Sequence, residues 1–140
     1  MKHTTNYTNT FIEVADDCPV SSAETPPEKK IKTLAELQYN QIIKNPYRYT
    51  SDDIIFECYA LKNDISENEK EQAKRQFFSK GQPCLRSSPL AKRYGFGIHH
   101  NQDGKVAIFP VESKEYQNFL MDDHIKKVKA MRSKRILLRK

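Results

Sequence analysis

The chain has 140 residues, 37% of them apolar and including seven Phe and seven Tyr, enough for one compact core and too few for two. Charged residues reach 30%, the mean hydropathy is −0.80 and no apolar run is long enough to span a bilayer, which excludes an integral membrane helix. The net charge of +6 is uneven: eight of the 24 Lys and Arg lie between Lys126 and Lys140 with no acid among them, leaving 16 against 18 acidic residues elsewhere.

Met1-Lys2-His3-Thr4-Thr5-Asn6 lacks the apolar stretch and small-residue cleavage site of a signal peptide, so a cytoplasmic location is expected. Cys18, Cys58 and Cys84 are odd in number and widely spaced, which suits reduced thiols better than a disulfide framework or a paired zinc motif. Thr10 to Ala15 is rich in β-branched and aromatic residues and stops at Asp16-Asp17-Cys18-Pro19, predicting a first strand and a turn. Pro19 to Lys30 reads as loop.

Thr33-Leu34-Ala35-Glu36 has the form of a capping box and predicts a helix to about Lys44, with Leu34, Leu37 and Gln41 or Ile42 on its buried face. Thr50-Ser51-Asp52-Asp53 starts a second helix expected to turn Ile55, Phe56 and Tyr59 inward. Ser66-Glu67-Asn68-Glu69 starts a third, running to Phe77 and Phe78 before Gly81. The period then changes to two. Tyr94, Phe96, Ile98 and His100 alternate with Gly95, Gly97 and His99, and a turn at Asn101-Gln102-Asp103-Gly104 leads to Val106–Phe109, which predicts a hairpin. Ser113 opens a short helix with Tyr116, Phe119 and Leu120 on one face. Residues from Ile125 to Arg132 fit either a last strand or a helix, the strand being preferred, with the final residues frayed.

These elements predict an α+β fold: one domain over 1–140, a small mainly antiparallel sheet under three to four covering helices, and 126–140 set apart as a basic C-terminal segment. Three stretches carry a resemblance: Thr4 to Pro19 (TTNYTNTFIEVADDCP), Asn45 to Asp53 (NPYRYTSDD) and Ser88 to His99 (SPLAKRYGFGIH). On these the chain resembles a family of small bacterial proteins of unknown function, nearly end to end. The resemblance implies a bacterial source and an independent domain, and transfers no catalytic or binding residue.

Chemistry is sought in four places. Asp16, Asp17 and Cys18 end a strand and could bind a divalent cation or pair a nucleophile with a base; the same residues serve equally as turn caps and a small apolar filler. His99 and His100 point to opposite faces and cannot readily share a metal. His99 lies on the face of Gly95 and Gly97, which are expected to leave open space above the sheet, and so is the better candidate for a pocket residue or general base; the alternative is a partly exposed histidine at a strand end. Arg86, Ser88 and Lys92 form a basic, hydroxyl-bearing loop suited to an anion, together with Gly95, Gly97 and His99. Lys126, Lys127, Lys129, Arg132, Lys134 and Arg135 have the charge for nonspecific nucleic-acid contact, but no DNA- or RNA-binding motif accompanies them. They could instead be a solvated terminus or dock on the acidic body.

Two functions from different classes follow. The first is a binding or regulatory module for an anionic small molecule, protein or nucleic acid, with no metal or cofactor called for. The second is a small hydrolase using Asp16, Asp17 and Cys18 with His99, which requires the end of the first strand to lie beside the hairpin.

Overall fold

The computed structural model describes residues 3–133. Among these residues the chain forms β1 (Thr10–Glu13), α1 (Leu34–Ile43), α2 (Ser51–Lys62), α3 (Lys70–Phe77), α4 (Pro89–Lys92), β2 (Phe96–His100), β3 (Val106–Pro110), α5 (Lys114–Met121) and β4 (Lys126–Lys129), with short 3₁₀ turns before α3 and α4. No helix among them is long and apolar enough to cross a membrane.

The helix starts follow their local chemistry. Thr50 Oγ1 accepts from Asp53 N at 3.2 Å while the Asp53 carboxylate accepts from Thr50 N at 3.0 Å, a complete capping box. At the 3₁₀ turn that leads into α3, Ser66 N and Ser66 Oγ both donate to Glu69 Oε1, at 3.3 and 2.8 Å, while Glu69 N donates to the Ser66 carbonyl. At α1 only half of the box forms. Thr33 Oγ1 accepts from Glu36 N, but the buried Glu36 carboxylate turns to Lys29 N and Lys32 Nζ instead.

The strands form one mixed sheet in the order β3-β2-β1-β4. β2 runs antiparallel to both β3 and β1, whereas β4 runs parallel to β1, from Thr10 opposite Lys126 to Glu13 opposite Lys129. One face carries Ile12, Phe96, Ile98, Val106 and Ile108 and packs on Leu37 and Ile42 of α1, Ile54 of α2 and Leu90 of α4. The other face carries Phe11, Gly97, His99 and Phe109 and lies under α5, whose Tyr116 and Phe119 rings meet Phe11 at 4.9 Å each. This two-faced burial explains why β2 is buried along nearly its whole length.

Three expectations need correction. β1 ends at Glu13, because Ala15 N leaves the sheet to bond Ala91 O of α4. In α2 the buried apolar residues are Ile54, Phe56, Cys58 and Ala60, while Ile55 is half-buried and Tyr59 is 40% exposed. The helix packs on two sides at once, with Ile54 and Cys58 in the main core and Phe56 and Ala60 against Phe78 in a second cluster, so no single inward stripe exists. Leu34, at the first position of α1, is also exposed.

A set of contacts invisible to periodicity ties the chain's start to α2. Asp52 accepts from Thr4 Oγ1, Thr5 N and Thr5 Oγ1, each at 2.7 Å, and Asp52 N donates to Asn6 Oδ1 at 2.9 Å. Thr5 Oγ1 also meets the buried Ser51 Oγ at 2.8 Å.

Candidate functional site

Because β1 and β4 are parallel, both strands leave the sheet at the same end, and that geometry assembles the basic region. Asp16, just beyond β1, accepts from Lys129 Nζ at 2.6 Å and from Arg132 Nη2 at 3.5 Å. Asp17 accepts from Ser133 N at 3.0 Å. The Lys129 hydrogen bond, aided by Arg132, holds the Asp16 carboxyl below the ordinary carboxylate range, and Lys129 is raised in return. Both groups are solvated, so the pair orients side chains more than it stabilises the fold.

Arg86 joins the same end. Its Nε donates to Lys129 O at 2.7 Å and its carbonyl accepts from Met131 N at 2.8 Å, a reciprocal clamp on the chain leaving β4. Lys92 follows Ala91, whose carbonyl binds Ala15 N one residue before Asp16. Arg86, Lys129 and Arg132 therefore come together at the end where Asp16 and Asp17 lie, and the Ala15–Ala91 bond brings the backbone next to Lys92 to the same end. Lys126 is exposed at the opposite end of β4, and Lys127 Nζ donates to Asp122 O at 2.6 Å. Lys134 and Arg135 lie outside the described residues, as does the expected fraying of the last residues.

The remaining candidates point elsewhere. Ser88 is buried, donates to Gln38 Oε1 at 2.5 Å and caps α4 by accepting from Leu90 N, so its hydroxyl is committed inside the fold. Gly95 and Gly97 leave no open space. A Cβ on Gly95 would lie 2.9 Å from Val20 and 3.1 Å from Ala23, at a φ of +82° that favours glycine, and one on Gly97 would press into the Phe11 and Tyr116 rings. The expectation of a cavity above these glycines is corrected: Val20 and Ala23 fill the space at Gly95, and the Phe11 and Tyr116 rings fill it at Gly97.

His99 is consequently enclosed. Its ring stacks on Phe119 at 4.3 Å, and its Nδ1 is 2.8 Å from the Tyr47 hydroxyl. Burial lowers its pKa, favouring a neutral ring that accepts from Tyr47. In the sheet Phe11 stands between His99 and Lys127, which puts those two roughly 10 Å apart. Cys18 packs half-buried against the main core. Among the described residues no hydrogen bond or ring contact joins His99 to Asp16 or Cys18, and no three His, Cys, Asp or Glu side chains gather where a metal ion could be held.

Sequence reasoning passed over Tyr47 and His100. Tyr47 has a φ of +59°, rare for a residue with a side chain, in the turn after Asn45-Pro46. His100 is completely buried and neither ring nitrogen has a hydrogen-bond partner. Burial pushes its pKa down to about 4; the Ile98 and Thr10 carbonyls are close enough to oppose this only in part. The Tyr7 ring meets it edge-on at 5.3 Å, and Tyr7 OH lies 3.1 Å from Cys84 Sγ.

A family of unknown function, DUF6157, matches residues 2–136. The chain belongs to this family. The DUF6157 match therefore takes in the clasp at Thr4, Thr5 and Asn6, the whole sheet and the basic end. No curated protein and no solved structure matches the chain.

Proposed function

We propose that the protein is a non-catalytic binding module that holds an anionic ligand or partner at the end of the sheet where β1 and β4 exit together. The observation carrying this reading is the reciprocal bonding of Arg86 with Lys129 and Met131, which fixes a guanidinium next to Lys129 and Arg132. Asp16 and Asp17 act as positioning groups, holding the cations in place without neutralising all of them. Lys92 adds to the same charge, and phosphate or carboxylate groups are the natural complement. A hydrolase built on Asp16, Asp17, Cys18 and His99 draws no support from these contacts, because the Asp16 carboxylate is engaged by cations and His99 by Tyr47 and Phe119. The accompanying expectations are a bacterial source and a cytoplasmic location.

The test is thermal melting against phosphorylated metabolites, acidic peptides and short nucleic acids, using the full chain, a chain ending at Ser133, and Arg132→Glu. Selective binding to the folded state raises Tm by mass action. A salt-sensitive rise that Arg132→Glu abolishes supports the basic end as the site. If nucleic acid alone produces the rise and the chain ending at Ser133 loses it, the segment beyond Ser133 is a nonspecific nucleic-acid contact. A rise unaffected by Arg132→Glu removes the site from this end.

A further inference from the structure

A concavity lies away from the basic end, between α3 and the helical layer. α3 buries none of its own residues; Phe77 at its last position packs on Phe56, and Phe78 next to it joins Phe56 and Ala60 in the second core cluster. Its earlier turns stand off from α1 and α2 and enclose a cleft of about 580 Å³. That volume is within the range of small-molecule sites.

The cleft's walls differ in charge. The α2 side presents Asp53 and Glu57 and the α3 side presents Lys70 and Lys74 together with Glu71, whose carboxylate is paired with Arg75, and Tyr49 and Phe56 contribute apolar surface between them. Two ion pairs cross the gap, Lys70 Nζ to Glu57 Oε1 at 3.1 Å and Lys74 Nζ to Asp53 Oδ1 at 3.5 Å. All four side chains are between 25% and 40% exposed, so the bridges are solvated and exchange readily.

We propose that this cleft binds a small zwitterion, a free amino acid with an apolar side chain. Its ammonium meets Asp53 and Glu57, its carboxylate meets Lys70 and Lys74, and its side chain lies over Tyr49 and Phe56. Opposed walls select for both charges at once. Lys70 also pairs with Glu67 at 2.8 Å and Asp53 also accepts from Thr50 N, but a ligand with one charge would break a bridge and leave Glu57 or Lys74 without its charged partner, whereas a zwitterion replaces each bridge with two new contacts. The polarity of the cleft also sets it apart from the basic end, where cations predominate, so the two proposals stand or fall separately.

The experiment is calorimetric titration and thermal melting of the full chain with L-leucine, L-methionine and L-phenylalanine, each compared with its N-acetyl derivative, which lacks the ammonium, and its amide, which lacks the carboxylate. The expected result is a rise in Tm with at least one free amino acid and binding weaker by about tenfold or more for both of its derivatives. Glu57→Gln and Lys74→Met should each abolish that rise, while Arg132→Glu leaves it intact. Absence of a rise with any free amino acid, or equal binding of the blocked derivatives, overturns the proposal. If either cleft variant fails to fold, the comparison of free and blocked ligands on the unaltered protein decides the matter.

Discussion

A methyl group on Gly97 would sit 2.6 Å from Tyr116 and closer still to Phe11, both of them buried rings that cannot swing away. Gly97→Ala is therefore expected to destabilise the fold by about 1–3 kcal/mol in chemical denaturation. On the other face of the same strand, His100 makes a prediction about acid. Its folded pKa of about 4 lies below the ordinary 6.5, so the unfolded chain binds the proton more readily. Stability is undiminished above pH 6.5, falls as pH drops from there toward 4, and loses about 3 kcal/mol in total from this residue. His100→Leu should flatten that part of the stability profile, and at neutral pH it should cost little, since it removes two nitrogens that have no partner. An unchanged acid slope in His100→Leu would mean that another group titrates there.

Capping carries most of the information that acts over short distances. Thr33, Thr50 and Ser113 all mark real starts, because a hydroxyl and the amide it satisfies are neighbours in sequence. The alternation along β2 likewise places His99 and His100 on opposite faces. What fills each face is decided by α5 and the helical layer, so neither the filled space above Gly97 nor the burial of His100 can be read from the strand itself. The clasp between Thr4, Thr5, Asn6 and Asp52 is hidden for the same reason, since its partners are 46 to 48 residues apart. It predicts that Asp52→Ala loses about 2–3 kcal/mol, as charge-assisted bonds do on losing their acceptor. Amides from about Thr4 to Tyr7 should lose hydrogen-exchange protection, while the complete Thr50–Asp53 box keeps α2 itself protected.

At the scale of the molecule, β4 has two roles. Its lysines blunt an edge strand against pairing with other chains, and the strand covers one side of β1, whose Phe11 and Ile12 are fully buried. A chain ending at Asp123 should therefore expose the β1 edge and appear as oligomer or precipitate in sedimentation. A chain ending at Ser133 keeps β4 and should sediment like the full-length protein. The basic end was legible as composition but not as a place. Asp16 and Lys129 are 113 residues apart, and only the parallel pairing of β1 with β4 tells that they meet.

The position of β1 in the interior of the sheet also bears on how the protein is born. On the ribosome β1 emerges well before both strands that flank it, β2 and β4. The nascent polypeptide must carry an apolar strand with two vacant edges until β2 and then β4 have been made. Helices α1 and α2 can gather early, but the sheet closes only after β4 has left the exit tunnel, and a chaperone that shields short apolar segments would act chiefly on Phe11 and Ile12.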